Sequence, residues 1–294
     1  MDSLLKPDAQ MPPAPKAPAR RAPPLSCDTH VHLLAGMGEY PLWEGRAENP
    51  APGPDLDGWL ALYRQHLDTL GFERGVIVHS ILYGTDNSVT VEAVRRMGAG
   101  FRGVGLLPDG ASEADIAQFA AWNMCAVRLN YVHGGVLSWD GAKEMAPILA
   151  NHGLHIQMLA HVDRHVAELA DDIRTLPVDV VFDHIGWPAD GLTSTSAGFS
   201  ILCDLVAEGK VWVKLSALYR MTDAPYVETD ALVARLIEAN PERCLWGSDW
   251  PHLMLADASM PHAAELLDTL DRVVPDDRTR HRILVDNPAA LFQF

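Results

Sequence analysis

The stretch CDTHVH, residues 27–32, ends the first apolar run of the chain and places His30 and His32 two positions apart. In a β-strand such residues face the same way, so the two imidazoles project together. In barrels of alternating strands and helices, the active site lies at the C-terminal ends of the strands. The pair alone does not decide function, because two hydrogen-bonded histidines that cap a core have the same spacing.

From residue 25 onward, short apolar runs alternate with longer amphipathic stretches. The runs are nearly continuous in apolar residues, which is typical of parallel strands covered on both faces. We predict strands at 25–32, 75–80, 101–107, 125–130, 154–159, 178–183, 211–216 and 244–248. The stretches between them have the apolar periodicity of amphipathic helices. We predict helices at 56–70, 86–97, 112–123, 139–151, 163–175, 197–208, 225–239, 257–270 and 276–292.

Two further apolar runs end in residues capable of acid–base or metal chemistry. Asp249 comes directly after the eighth run, where a carboxylate is a helix cap, a metal ligand or a general base. His184 comes directly after the sixth run. Strands one and eight are neighbours only if the sheet closes, and closure brings Asp249 to the two histidines. We therefore predict a (β/α)₈ TIM barrel, rather than an open sheet, with its active site around His30, His32, His184 and Asp249.

The composition is that of one globular domain with a strongly acidic surface. The chain has 294 residues, 48% of them hydrophobic, and a formal net charge of −16. We predict a single domain at 25–294, preceded by a proline- and alanine-rich disordered arm at 1–24 that lacks the apolar core of a signal peptide. The negative charge argues against nucleic acid and anionic membranes as partners. We expect a cytoplasmic protein, monomeric or a small homo-oligomer.

The cysteines are expected to be structural. None forms a C-x-x-C pair, and three of them lie in the apolar runs predicted as strands. In a cytoplasmic protein this pattern favours buried, reduced thiols over disulfide bonds. The four are Cys27, Cys125, Cys203 and Cys244.

Three motifs resemble a known family. They are CDTHVH at 27–32, DHIGWP at 183–188 and GSDWPH at 247–252, and the chain also ends with an NPA motif at 287–289. In this order they resemble the amidohydrolase superfamily, and within it the amidohydrolase-2 branch, which contains 2-pyrone-4,6-dicarboxylate lactonase and sugar-acid lactonases. The resemblance extends from about residue 25 to the C-terminus. It implies that Asp249 is the general base that activates water, and that His30, His32 and His184 polarise the scissile carbonyl, directly or through a metal.

The sequence departs from the usual metal-ligand set of that superfamily. Predicted strand five has Gln157 near the place of a ligand, with His155 deeper and His161 just past the strand as the best substitute. No lysine marks predicted strand four, where a two-metal site has its bridging ligand. His30, His32 and Asp249 could still bind zinc with water in the fourth position. The similar lactonases include metal-independent members, so catalysis without a required metal is favoured and zinc remains possible.

A cluster of basic and aromatic residues suggests how a substrate would bind. Arg128 and Asn130 share one face of predicted strand four, and Arg220 follows predicted strand seven. A guanidinium group suits a carboxylate, although a surface ion pair is the alternative for each arginine. The resemblance implies carboxylate binding near these arginines. Trp187 stands where the dicarboxylate lactonases commonly have a basic residue, which implies either fewer contacts with anionic groups or an aromatic wall that stacks on a ring. Further rim candidates are Tyr83, Tyr131, Tyr219, His79 and His252.

The resulting expectation is a hydrolase that opens a carboxylate-bearing lactone in aromatic or sugar-acid catabolism. A lactone isomerase, in which a substrate hydroxyl replaces water, remains open. So does a zinc-dependent decarboxylase of the same superfamily, which the poor strand-five ligand disfavours. A barrel without activity that serves as a binding or scaffolding protein is the non-enzymatic alternative. The intact set of His30, His32, His184 and Asp249 opposes it.

Overall fold

The structure is a computed structural model that describes residues 6–274 and 276–294. Eight parallel strands form one sheet in sequence order, from β1 to β8. The strands are β1 Cys27–Val31, β2 Arg74–Val78, β3 Phe101–Gly105, β4 Met124–Asn130, β5 His155–Leu159, β6 Val180–Phe182, β7 Val211–Leu215 and β8 Cys244–Trp246.

Helices follow the strands and cover the outside of the sheet. They are α1 Leu56–Leu70, α2 Ser88–Met97, α3 Glu113–Ala121, α4 Trp139–Asn151, α5 Val162–Thr175, α6 Ala197–Ala207, α7 Asp230–Ala239, α8 Ala263–Val273, α9 Asp277–His281 and α10 Asn287–Phe292. Within the described ranges, 3₁₀ turns lie at Ile81–Tyr83, His184–Gly186, Leu218–Arg220, Val227–Thr229 and Pro241–Arg243, and a π-helical turn lies at Arg282–Asp286.

The first and last strands meet and close the barrel. A parallel bridge joins Val31 to Trp250. The N–H of His32 donates to the Trp250 carbonyl at 2.7 Å, and the N–H of Asp249 donates to the His30 carbonyl at 2.9 Å. The predicted TIM barrel is confirmed, and these bonds hold the ends of β1 and β8 side by side.

The apolar runs predicted as strands six and eight are longer than β6 and β8. The backbone leaves the extended conformation just after each strand, since His184 has φ 57° and Asp249 has φ 61°. Left-handed conformations at non-glycine residues cost about 1 to 3 kcal/mol each and cluster at functional sites. The chain therefore turns sharply at the two places where chemistry was expected.

Three predicted helices begin late or are interrupted. The helix predicted at 225–239 starts only at Asp230, because Tyr226 has φ 63°, which a helix does not accommodate. The helix predicted at 257–270 starts after Pro261, which disfavours the helical conformation in the residue before it. The helix predicted at 276–292 is divided by the π-helical turn at Arg282–Asp286.

The segment predicted as a disordered arm makes contacts over its described part. Residues 1–5 lie outside the described residues. Beyond them, the N–H of Ala9 donates to the Asn49 carbonyl and the N–H of Ala22 donates to the Leu70 carbonyl, each at 2.9 Å. Both alanines are buried. Its prolines prevent a continuous strand, because they have no N–H to donate. Residues 6–24 therefore lie against the barrel.

The four cysteines are free and buried. Burial raises the pKa of Cys125 to about 12, and it also raises the pKa values of Cys27, Cys203 and Cys244. The thiolate is the reactive form of cysteine, so these residues serve packing rather than nucleophilic chemistry. Among the described residues, no helix is both long and apolar enough to cross a membrane.

Candidate active site

A cavity of about 700 Å³ opens at the C-terminal ends of the barrel strands. Its walls include most of the side chains proposed from the sequence, namely His32, His184, Asp249, Arg128, Asn130, Arg220 and Trp187. Apolar residues such as Trp43, Ile81 and Leu253 complete the lining. His30 lies beneath the floor and is fully buried. The predicted histidines and Asp249 thus form one cluster at the base of the cavity.

Asp249 Oδ1 faces two imidazoles. It lies 3.4 Å from His32 Nε2 and 3.6 Å from His30 Nε2. Neither Asp249 Oδ1 nor His30 Nε2 has a hydrogen-bond partner within the described ranges, although both are buried. His32 Nδ1 donates to the Val78 carbonyl at 2.8 Å, which turns Nε2 toward Asp249. Three polar atoms therefore converge on one point.

The other oxygen of Asp249 is held firmly. Oδ2 accepts the hydroxyl proton of Tyr219 at 2.6 Å and two N–H groups of Arg220, from Nε at 3.1 Å and from Nη2 at 3.0 Å. Burial acts to raise the pKa of Asp249, but Arg220 and the histidines outweigh it and hold the pKa well below its usual value. Asp249 is therefore ionised at neutral pH.

His184 completes the cluster from β6. Its ring centroid lies 4.8 Å from that of His30, and its Nδ1 is 2.9 Å from the Ser216 hydroxyl. Burial lowers the pKa of His184 to about 4, so the imidazole is neutral at pH 7. Ser216 follows β7, and it fixes the ring so that the other nitrogen is available to the cavity.

A second polar layer lies below His30, and the sequence analysis missed it. Lys214 Nζ donates to Gln157 Oε1 at 2.7 Å, and Gln157 Nε2 donates to Asp183 Oδ2 at 3.2 Å. Burial lowers the pKa of Lys214 to about 8. For Asp183, burial acts to raise the pKa, but His30 and Lys214 outweigh it and the pKa lies below its usual value. A lysine inside an apolar strand must have a partner, and that signal was available in β7.

Arg128 is the better placed of the two arginines to bind an anion. Its Nη1 donates to the His79 carbonyl at 2.5 Å, and its buried Nε has no partner in the part of the chain that is described. Burial lowers its pKa, but a guanidinium stays protonated in proteins. Beside it, Asn130 Oδ1 accepts the N–H of His133 at 2.9 Å.

Arg220 is already occupied, unlike the free carboxylate anchor expected from the sequence. In addition to Asp249, it donates to the Leu253 carbonyl at 2.8 Å and to the Met254 carbonyl at 3.2 Å. It still lines the cavity. Its first role in this structure is to hold Asp249 and the loop after β8.

Two predicted substrate contacts lie away from the cavity. The Tyr83 hydroxyl is buried and accepts the N–H of Ala35 at 2.7 Å. His252 turns its ring against Tyr219, with centroids 5.2 Å apart, and lines a separate small cavity with His66 and Pro13. The left-handed backbone of His252, with φ 69°, turns the side chain behind the site.

Neither histidine considered as a strand-five ligand joins the cluster. His155 packs against Phe292, with ring centroids 5.7 Å apart. His161 Nδ1 is 2.9 Å from the Trp187 carbonyl at the rim. Among the described residues, two sets of side chains bring possible metal-ligand atoms close together. One set is His30, His32 and Asp249, and the other is His30, Asp183 and His184.

The first of these groups fits a divalent ion. Zinc binds histidine and carboxylate ligands in a tetrahedron at about 2.0 to 2.1 Å, which separates neighbouring ligand atoms by about 3.3 Å. The distances of 3.4 Å and 3.6 Å from Asp249 Oδ1 to the two Nε2 atoms are close to that edge. The unpartnered state of Asp249 Oδ1 and His30 Nε2 also suits a cation. His30, His32 and Asp249 could therefore hold zinc with one position open.

Comparisons with known proteins match nearly the whole chain. The family model described as Amidohydrolase matches residues 27–294. The chain is 33% identical to a 4-sulfomuconolactone hydrolase of Rhizobium radiobacter, over 97% of this chain and 96% of the relative. It is 30% identical to a 2-pyrone-4,6-dicarboxylate hydrolase of Comamonas testosteroni, over 95% and 93%. An apo crystal structure from Agrobacterium tumefaciens superposes with a TM-score of 0.82 at 26% identity, over 95% and 99% of the two chains.

Proposed function

This chain belongs to the amidohydrolase family, and on that premise we propose that it is an enzyme that hydrolyses a lactone bearing at least one carboxylate group. The family resemblance drawn from the three motifs is confirmed. The observation that carries the proposal is the juxtaposition in one cavity of Asp249, the imidazoles and Arg128. In a protein of net charge −16, a half-buried arginine facing a cavity supports an anionic ligand.

In the proposed reaction Asp249 acts as the general base. Water attacks the lactone carbonyl carbon, and its proton passes to Asp249 Oδ1, the oxygen that has no partner among the described residues. Tyr219 and Arg220 hold Oδ2, which fixes the direction of the Oδ1 lone pairs. The ring C–O bond then breaks, and the leaving oxygen takes the proton back from Asp249. The product is the ring-opened hydroxy acid.

The imidazoles stabilise the charge that develops on the carbonyl oxygen. His184 donates from Nε2 when its Nδ1 accepts the Ser216 hydroxyl proton. His30 directs Nε2 toward the same point beside Asp249. Fixed donors in a site that excludes water are the largest usual source of rate enhancement in acyl transfer. These hydrogen-bond donors also compensate for the weak basicity of Asp249, whose carboxylate has a low pKa.

The substrate carboxylate is proposed to bind Arg128. The guanidinium donates a hydrogen bond to the His79 carbonyl, and its planar fork matches two carboxylate oxygens. Trp187 and Trp43 offer flat apolar surfaces in the same cavity for the lactone ring.

A divalent ion held by His30, His32 and Asp249 would supply Lewis-acid polarisation of the carbonyl and a more acidic water. Arg128, Tyr219 and Arg220 would bind and orient in the same way with or without it. We propose that the reaction does not require the ion, because neutral imidazole donors already surround the site.

The test is ring opening by protein purified in chelator-treated buffer, with its metal content measured. The panel is pyrone carboxylates, muconolactones and aldonolactones, together with uncharged lactones of the same ring size. We expect turnover of carboxylate-bearing lactones, loss of turnover in Asp249→Asn, and unchanged turnover in Asp204→Asn, an exposed acid on α6. Stoichiometric zinc without turnover of any lactone would contradict the proposal.

Isotopic water separates hydrolysis from isomerisation. In ¹⁸O-water, hydrolysis adds one labelled oxygen to the product carboxylate, since the attacking atom comes from solvent. An internal transfer from a substrate hydroxyl leaves the product unlabelled, and that result would move the assignment to a lactone isomerase.

A further inference from the structure

One side of the active-site cavity is apolar, and the proposed reaction uses little of it. The strands run in order around a closed barrel, so β4 to β6 lie across the cavity from β8, β1 and β2. Arg128 and His184 belong to the first side. Apolar side chains from the loops after β8, β1 and β2 form the opposite side, which we call the apolar wall. It consists of Trp43, Ile81, Leu253, Met254 and Leu255.

The backbone of the apolar wall is held in place, although two of its side chains are exposed. Trp43 is 46% exposed and Met254 is 39% exposed. The N–H of Trp43 donates to the Leu82 carbonyl at 2.8 Å. The N–H of Met254 donates to Glu48 Oε1 at 2.7 Å, and its carbonyl accepts from Arg220 Nη1 at 3.2 Å. Large apolar side chains that are exposed together at one cavity mark a binding surface.

Two glycines make room for the indole ring of Trp43. A Cβ at Gly45 would lie 2.3 Å from Cζ2 of this ring, and a Cβ at Gly84 would lie 3.0 Å from its Cγ. Gly45 belongs to the loop after β1, and Gly84 follows the 3₁₀ turn after β2. The indole therefore packs against both loops, and it offers the cavity a surface that is already in position.

The charges around the cavity suit one anionic group rather than two. Among the described residues, the lysines and arginines that line the cavity are Arg128 and Arg220. Arg220 uses most of its N–H groups on Asp249 and on two backbone carbonyls. On the side of the apolar wall, Asp257 lines the cavity and Glu48 lies beside it. These acids would repel a second carboxylate on the substrate.

We propose that the substrate is a lactone with one carboxylate, bound by Arg128, and with an aryl or alkyl substituent that lies against the apolar wall. The cavity of about 700 Å³ is within the range of about 300 to 1,000 Å³ that encloses drug-sized ligands, which are larger than a lactone ring with a carboxylate alone. Trp43 offers a surface to the ring, and Met254 and Leu255 continue that surface toward the substituent. The inference rests on the proposed function for the group that reacts.

Matched lactones test the substituent. They share the ring and one carboxylate, and they carry hydrogen, phenyl or a second carboxylate at each free ring carbon in turn. We expect the best phenyl isomer to exceed the hydrogen compound at least about tenfold in kcat/KM, because a buried phenyl ring favours binding by that factor or more. The dicarboxylates should be the poorest substrates. Equal values for hydrogen and phenyl, or the highest value for a dicarboxylate, would overturn the inference and leave the proposed function standing.

Binding without reaction separates the inference from the proposed function. Calorimetry with propanoate, 3-phenylpropanoate and pentanedioate requires no lactone and no turnover. We expect 3-phenylpropanoate to bind at least about tenfold more tightly than the other two acids. If no lactone reacts, the proposed function fails alone. Equal affinities for the three acids would show that the apolar wall does not select the ligand.

Met254→Asn places the preference on the apolar wall. Asparagine accepts the left-handed backbone of Met254, with φ 49°, and it replaces an apolar side chain with a polar one. Met11→Asn is the matched control at an exposed methionine that is not among the residues lining the cavity. We expect Met254→Asn to weaken 3-phenylpropanoate binding by about threefold or more and to leave propanoate binding unchanged. Met11→Asn should match the wild type. Equal losses for both acids, or no loss, would refute the proposed contact.

Discussion

The hydroxyl of Tyr219 donates to Oδ2 of Asp249 at 2.6 Å, and both side chains are buried. This bond leaves Oδ1 as the only oxygen of Asp249 that is directed at the imidazoles. The orientation of the proposed base therefore depends on a residue that is buried and does not line the cavity.

Replacing Tyr219 with phenylalanine tests that dependence. A hydrogen bond to a charged group contributes about 1.5 to 3 kcal/mol, and about 1.4 kcal/mol corresponds to a tenfold rate change. We expect Tyr219→Phe to lower kcat by about tenfold or more, with KM little changed, in steady-state assays. Tyr226→Phe is the control, since Tyr226 is buried and is not among the described residues that hydrogen-bond to Asp249 Oδ2. Equal effects of the two substitutions would contradict the role of Tyr219.

Arg128 is expected to discriminate substrates by charge. Arg128→Met removes the guanidinium and keeps much of the apolar stem. We expect kcat/KM for a carboxylate lactone to fall by roughly 100-fold, because about 3 kcal/mol is the upper value for a charged hydrogen bond, and to change little for an uncharged lactone. Competition kinetics with the two lactones measures this difference. A similar loss for both substrates would assign Arg128 to structure rather than recognition.

Acid is expected to destabilise the fold between about pH 6.5 and pH 4. Burial lowers the pKa of His79 and His184 to about 4, and that of His155 and His252 to about 3. Below pH 6.5 the unfolded chain takes up these protons while the folded chain does not, so stability is complete above that pH and is lost as pH falls. Urea unfolding at pH 7, 6 and 5 measures the loss.

His155 allows the pH dependence to be tested away from the proposed site, because it packs on Phe292. Each proton taken up only by the unfolded chain contributes about 1.4 kcal/mol per pH unit to the slope. His155→Phe should therefore flatten the dependence by about that amount per pH unit. Parallel slopes for the variant and the wild type would show that His155 is not neutral in the fold.

Gly247 is expected to tolerate no side chain. A Cβ at this position would lie 2.7 Å from His30 Cβ and 2.9 Å from the His30 backbone nitrogen. Gly247→Ala should displace β1 at the site, destabilise the protein by about 1 to 3 kcal/mol and reduce kcat. Gly135→Ala has no atom within 4 Å of the added carbon and should match the wild type. The free energy of unfolding and kcat of both variants are measured by denaturation and steady-state kinetics, and equal values for the two variants would contradict the prediction.

The sequence alone identified the site residues at the ends of the strands, but it did not reveal the hydrogen bonds that those residues make. His30, His32, His184 and Asp249 could be grouped because closure of a barrel brings the ends of β1, β6 and β8 to one rim. The bonds from Tyr219 and Arg220 to Asp249 could not be predicted, since they depend on a 3₁₀ turn after β7 and on the left-handed backbone of Asp249.

Lys214 shows a second limit of prediction from the sequence. Its place inside an apolar strand indicated a buried partner, but the identity of that partner depends on the register across the barrel. Lys214 meets Thr29 of β1 and Gln157 of β5, which are separated from it by 185 and 57 positions. Periodicity along one strand carries no information about such pairs.

The contacts of residues 6–24 have a consequence for where the folding unit begins. The family match starts at residue 27, and a fragment cut there would look complete by similarity alone. Pro13 and Pro15, however, line the small cavity behind His252, whose N–H donates to the Asp249 carbonyl at 2.8 Å. A fragment trimmed to the similarity boundary would open the rear of the catalytic loop to solvent. A chain that keeps that loop enclosed therefore includes Pro13 and Pro15, which lie well before the first residue of the family match.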